Sequence, residues 1–301
     1  MGKLTGLFFF TLVAGIVVAV VKGKKPPPPP VPPPPSDTPV PLLDMGGSTY
    51  YGLPGLLYPG SNAVPAVHHG DGIFFANEVQ PLDSLGNPSL DGKIGVMAVG
   101  YSNIKSYWAN PASSDTTEEP VGRFFTPESF IGQATAFPRV SHRDIIFACA
   151  ARGGKDSTFW DDPNDDVYLH SRDAELGPLG LTELQVQVIW LGGAIASPAS
   201  QTPRLLTQPE MALGLQGSSY IEALTSALGR TLRAIRVRYP NCKLVFLSGV
   251  NYGGYQALDS RGLPPPLQPE PYPYETSFAH KLVIEAQINQ MAGRGIDPVA
   301  G

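Results

Sequence analysis

The run Lys93-Ile94-Gly95-Val96-Met97-Ala98-Val99-Gly100-Tyr101-Ser102-Asn103 decides how this chain is read. Its first seven residues follow an Asp91-Gly92 turn. They are short, continuous and apolar, the pattern of a strand buried on both faces of a parallel sheet. Three more stretches have the same character: Asp144–Ala150, Gln185–Leu191 and Lys243–Ser248. Helical patterns alternate with them. From Ser219 to Arg238, Ile221, Leu224, Leu228, Leu232 and Ile235 form an apolar stripe, and Ser219 with Glu222 reads as a capping box. Arg230, Arg233, Arg236 and Arg238 read as the solvated side of that helix. A final helix is predicted over Thr276–Gln290. Strands alternating with helices imply one three-layer α/β/α domain around a parallel sheet. In such folds ligands sit at the carboxyl ends of the strands. Ser102 on its Gly-flanked turn is therefore either a nucleophile or the cap of the next helix.

The N-terminus reads differently. Leu4 to Val21 is 18 almost wholly apolar residues, with Lys3 before it and Lys22, Lys24 and Lys25 after it. That is the short end of a membrane span, which needs about 20. Residues 1–25 are therefore expected to be a signal anchor, or else a signal peptide. No small-x-small cleavage site precedes Lys22, which favours the anchor. Residues 26–41, with Pro26–Pro30 and Pro32–Pro35, form a polyproline II spacer that would hold a domain roughly 50 Å away. Residues 42–90, rich in Gly, Pro and Asn, are expected to be an irregular segment packed on the domain. The α/β domain itself is placed at 91–292, with 293–301 as a tail. The expected location is outside the cytoplasm, with the membrane a partner through the N-terminal segment.

Charge excludes one partner class. Setting aside Lys3, Lys22, Lys24 and Lys25 from the 21 basic residues leaves 17 against 26 acidic, a net of −9. Such a domain is not a nucleic-acid binder. Cys149 and Cys242, in or beside predicted core strands, are expected to be free buried thiols. No Cys/His spacing suggests a metal. Asp161-Asp162-Pro163-Asn164-Asp165-Asp166 lacks the Gly and terminal Glu of a calcium loop and reads as an acidic loop leading into a helix. No cofactor is expected.

Glycine-rich turns follow the later strands: Arg152-Gly153-Gly154-Lys155-Asp156, Gly192-Gly193-Ala194, and Ser248-Gly249-Val250-Asn251-Tyr252-Gly253-Gly254. Together with the Ser102 turn they point to a ligand cleft. Backbone amides of paired glycines can stabilise an oxyanion. Asp156 and Trp160, an acid beside an aromatic, would suit a sugar.

Taken together, strand-Gly-x-Ser-Asn, strand-Ala-x-Gly-Gly-x-Asp, strand-Trp and a late acidic helix start resemble the SGNH (GDSL-like) hydrolase superfamily. Gln185-Val186-Gln187-Val188-Ile189-Trp190, Arg238-Tyr239-Pro240-Asn241 and Pro269–Glu275 with Phe278 and Lys281 look more specifically like a group of exported bacterial proteins of that type. The resemblance spans roughly residues 90–290. It implies a flavodoxin-like fold and a serine hydrolase of acyl esters, on a small molecule or a glycan. Ser102 would be the nucleophile, with the amides of Ser102 and Gly154 as oxyanion hole. Asn103, Asp156, Trp160, Tyr252 and Tyr274 would bind substrate.

The chain departs from the superfamily at three points. Gly192-Gly193-Ala194 stands where Gly-x-Asn-Asp is usual. Tyr101 replaces the usual Asp. The Asp-x-x-His before the last helix is missing, with Pro271 and Tyr274 in its place. Glu275, alone or with His280, is then the candidate base; His68-His69 is a loop alternative. The departures keep a second reading open, a carbohydrate-binding module without catalysis, and a third, a structural surface protein.

Overall fold

In the computed structural model, the described residues are 8–11, 40–110, 120–195, 218–251 and 272–301. The strands are β1 (Phe8–Thr11), β2 (Thr49–Tyr50), β3 (Leu53–Pro54), β4 (Ile94–Val99), β5 (Ile145–Cys149), β6 (Val186–Gly192) and β7 (Leu244–Ser248). The helices are α1 (Ala66–Ala76), α2 (Ser102–Trp108), α3 (Phe130–Ala136), α4 (Asp166–His170), α5 (Ser218–Arg238) and α6 (Tyr272–Met291).

The four strands read from the sequence form one parallel sheet, ordered β5-β4-β6-β7. Their continuous apolar runs are those of strands covered on both faces. Met97, Val99, Ile189, Leu191, Val245 and Leu247 share a core with Leu224, Leu228 and Ile235 of α5 and Phe278 and Ile284 of α6. Ala98, Cys149 and Trp190 face the other way, onto Ile104 and Trp108 of α2 and Ile131 of α3. The rings of Trp108 and Phe130 stack at 4.3 Å, and Trp190 lies 5.4 Å from Trp108. The described chain is therefore a mixed α/β protein, a four-stranded parallel sheet with helices packed on it. The strand order reverses between β4 and β6, because β5 lies to one side of β4 and β6 and β7 to the other.

Several expectations change. Phe8–Thr11, inside the segment expected to be an anchor, pairs in parallel with Leu244–Leu247 and extends the sheet beyond β7. Aromatic residues and Thr suit a strand as well as apolar surroundings. The remainder of 1–39, including the polyproline spacer, lies outside the described residues. Among the described residues no helix is long and apolar enough to cross a membrane.

Residues 42–90 are not wholly irregular: α1 lies within them. Its start has no side-chain cap, it carries Gly70 and Gly72, and its apolar residues are not confined to one stripe. No periodic signal was therefore available. The arginine row of α5 is also more than a solvated face. Arg230 pairs with Asp161 at 2.7 Å, Arg238 with Glu183, and Arg233 donates to the carbonyls of Ala300 and Gly301. The tail packs closely as well: a Cβ on Gly229 would stand 1.8 Å from the Ala300 carbonyl oxygen. Cys149 and Cys242 are free and buried, and burial raises both thiols.

The aromatic cluster under α2 should dominate stability on its side of the sheet. Trp108→Ala is expected to cost about 3–5 kcal/mol, read as a lower urea midpoint with unchanged slope.

Candidate functional site

The carboxyl edge is assembled by close backbone approach. Gly100 directly follows β4 with φ +140°, and a Cβ there would lie 2.3 Å from the Gly192 carbonyl oxygen. A Cβ on Gly192 would meet Ile104 Cδ1 at 1.9 Å, so α2 lies directly on the end of β6. The turn after β5 joins them: the Arg152 N–H donates to the Gly100 carbonyl at 3.0 Å. Further along, the Ser157 N–H donates to the Ala194 carbonyl at 2.8 Å. Beyond β7, the Val250 N–H donates to Thr276 Oγ1 at 3.1 Å and ties this edge to α6. This edge is where the strand order reverses, the usual ligand position in open α/β sheets.

Ser102 is exposed at the first position of α2. Tyr101 occupies the cap position without a side-chain cap bond, so Ser102 is not spent on capping. Among the described residues no histidine or carboxylate hydrogen-bonds its hydroxyl. Asn103 is half-buried beside it. Its side chain contacts the Tyr107 hydroxyl, lowering a group that burial raises. Gly153 and Gly154 are exposed at the same edge, Gly154 with φ +73°.

The other candidates sit differently. Asp156 is buried in its own turn, accepting from the Thr158 N–H at 2.9 Å and from Thr158 Oγ1 at 2.6 Å. Trp160 is fully buried, donates Nε1–H to the Lys155 carbonyl and packs edge-on against Tyr168. Neither is presented to a cleft. Tyr274 is buried, its hydroxyl 2.7 Å from Met45 Sδ. Glu275 Oε1 accepts from the Tyr50 hydroxyl at 3.1 Å. Lys281, also buried, donates to the Pro54 and Gly55 carbonyls and pairs with Glu285 at 3.5 Å. These three residues fasten the segment around 45–55 to α6. Tyr252 lies outside the described residues, and His68 and His69 belong to α1.

His280 is buried inside α6 with both ring nitrogens engaged. Thr276 O, which only accepts, lies 2.7 Å from Nδ1, so Nδ1 carries the proton. Nε2 accepts from the Gly193 N–H at 3.3 Å. Burial lowers its pKa to about 4, against a smaller raising effect from the Thr276 carbonyl. Sequence reading missed Ser157. It is buried, and its hydroxyl has no hydrogen-bond partner among the described residues. A Cβ on Gly193 would be 3.0 Å from Ser157 Oγ and 3.3 Å from His280 Nε2, so the two side chains flank one point behind the β6 turn. Nothing in the local pattern distinguishes this serine from a turn residue.

Among the described residues no cluster of three or more His, Cys, Asp or Glu side chains could hold a metal ion. The acidic loop has internal uses. Asp161 pairs with Arg230, Asp162 accepts from the Asn164 N–H, Asp165 caps α4, and Asp166 pairs with Lys155.

No family model matches the chain, and no curated protein matches it. Among solved structures, phospholipase A1 from Streptomyces albidoflavus NA297 is similar at 12% identity and a TM-score of 0.32, over 67% of this chain and 77% of that one. A second solved structure is 14% identical with a TM-score of 0.29, over 70% and 77%. Scores this low do not establish a shared fold.

The buried imidazole makes folding sensitive to acid. An unfolded histidine titrates near 6.5, whereas His280 titrates at about 4. Above pH 6.5 both states are neutral and nothing changes. As pH falls below 6.5 the unfolded chain gains a proton that the folded chain refuses, and stability is lost down to about pH 4. The full loss is roughly 3 kcal/mol. Urea titrations at pH 7 and pH 5 should show this decline in the wild type and a shallower one in His280→Gln.

Proposed function

We propose that the chain is a serine hydrolase of acyl esters working at the carboxyl edge of the sheet, between the ends of β4 and β6. The observation that carries this reading is an exposed Ser102, not used as a helix cap, at the carboxyl end of the first sheet strand, where the strand order reverses. The Ser102 hydroxyl attacks the ester carbonyl. The amides of Ser102 and Gly154 receive the oxyanion. The alcohol leaves, and water then releases the acyl group from the serine.

The proton needs an acceptor. His280 already has the required tautomer, with Nδ1–H held by a backbone carbonyl and a lone pair on Nε2. To serve, Nε2 has to give up its long bond from Gly193 and reach the serine hydroxyl, which it does not contact among the described residues. Glu275 contributes by anchoring Tyr50, and through it the segment over α6. The expected placement outside the cytoplasm rests on the apolar, lysine-flanked N-terminus and the prolines of Pro26–Pro41, with Phe8–Thr11 of that N-terminus taken into the sheet rather than a membrane span. A glycan ester is one substrate class, but the burial of Trp160 and Tyr274 removes two of its proposed contacts.

One observation favours a binding module without turnover: both nitrogens of His280 are occupied. Labelling with a fluorophosphonate probe separates the two. Wild type and Ser157→Ala should gain the probe mass and Ser102→Ala should not. Hydrolysis of p-nitrophenyl acetate should fall roughly 10³-fold or more in Ser102→Ala. Labelling that persists in Ser102→Ala rejects this nucleophile, and a folded wild type that never labels leaves the binding module.

A further inference from the structure

Helix α1 is apolar on two sides. Its inner side carries His68, Gly72 and Phe75, all buried, with Phe75 packed on Leu244 beside Phe246. Its outer side carries Val67, Ile73 and Phe74, exposed by 77%, 50% and 59%. Gly70 lies between them on the helix surface with open space above it. His69 and Asp71 flank this strip, and no charged side chain interrupts it. A helix hydrophobic on all sides is ordinarily buried, and a contiguous apolar strip marks a contact surface.

What covers it follows from the neighbouring chain. The helix packs against β1 and β7. From Thr11 at the end of β1 the sequence continues with Leu12–Val21, ten apolar or small residues, and then Lys22, Lys24 and Lys25. With Phe8–Thr11 in the sheet, this run is about half the length a span requires. An apolar strip, together with a short apolar run and a basic cluster elsewhere in the same sequence, is the composition of a chain that lies on a bilayer rather than crossing it.

We infer that the outer face of α1, through Val67, Ile73 and Phe74, rests in the interfacial layer of a lipid bilayer. The basic cluster favours anionic headgroups. This inference does not depend on the hydrolase reading.

The test uses the full chain with vesicles of phosphatidylcholine and phosphatidylglycerol containing brominated acyl chains. Trp108, Trp160 and Trp190 are all buried, so wild-type emission should barely respond. In Phe74→Trp, the added indole should be quenched by the bromolipid. The bound fraction of Val67→Glu/Phe74→Glu should fall about tenfold in co-sedimentation, with unchanged circular dichroism. Three results overturn the inference. One is an unquenched indole on protein that still sediments with vesicles. Another is unchanged binding by the double variant. The third is a lipid-free dimer, seen by light scattering, in which the added indole is shielded; the strip would then belong to a second copy.

Discussion

Everything at the carboxyl edge depends on the contact between Gly100 and Gly192. At 2.3 Å from the Gly192 carbonyl oxygen there is no room for a Cβ on Gly100, and φ of +140° is closed to other residues as well. The contact brings the turns after β4 and β6 together at the point where the sheet changes direction. It lets Ile104 settle on the end of β6 and fixes where α2 begins, and therefore where Ser102 stands. The Arg152 N–H bond to the Gly100 carbonyl adds the turn after β5 to the same unit. A site built this way takes its geometry from backbone and packing, with little contribution from side-chain hydrogen bonds.

That division explains what could be read in the sequence. Each of the four core strands was legible to within a residue or two at its ends, because burial on both faces leaves a continuous apolar run. The stripe of α5 was legible for the same reason: Ile221, Leu224, Leu228, Leu232 and Ile235 are all buried. Helix α1 was not, since a helix with two apolar sides and two glycines has no single period. The roles of Asp156, Trp160 and Tyr274 were not legible either. Position near a strand end does not say whether a side chain turns into the cleft or into the core. Trp160 turns inward because its indole N–H finds the Lys155 carbonyl and its ring finds Tyr168.

The polar residues of α6 show the same limit more sharply. Glu275 and His280 read as chemistry, being ionisable groups near the place where the SGNH superfamily keeps its base, and Lys281 follows directly after them. In the structure each is buried and holds backbone or a neighbouring segment: Tyr50 for Glu275, Gly193 for His280, and Pro54 and Gly55 for Lys281. Buried ionisable groups are costly unless satisfied, so a structural role already accounts for their partners. A catalytic role has to be added to that one, not substituted for it.

His280 is where the two roles can coexist. Its bond to Thr276 is short and fixes the ring, while its bond to Gly193 is long. The weak bond is on the nitrogen that a base would use. Beside it, the Ser157 hydroxyl is buried with no hydrogen-bond partner among the described residues; a hydroxyl left so costs on the order of 1–3 kcal/mol. A fold seldom keeps an unsatisfied hydroxyl next to a loosely held imidazole where its stability depends on both. This corner behind the β6 turn is one of several places in the core, with the Tyr101 hydroxyl and the Trp108 and Trp190 indole N–H groups, where a buried polar atom lacks a partner among the described residues. A bound ester that displaces Gly193 from Nε2 would act on it before any other.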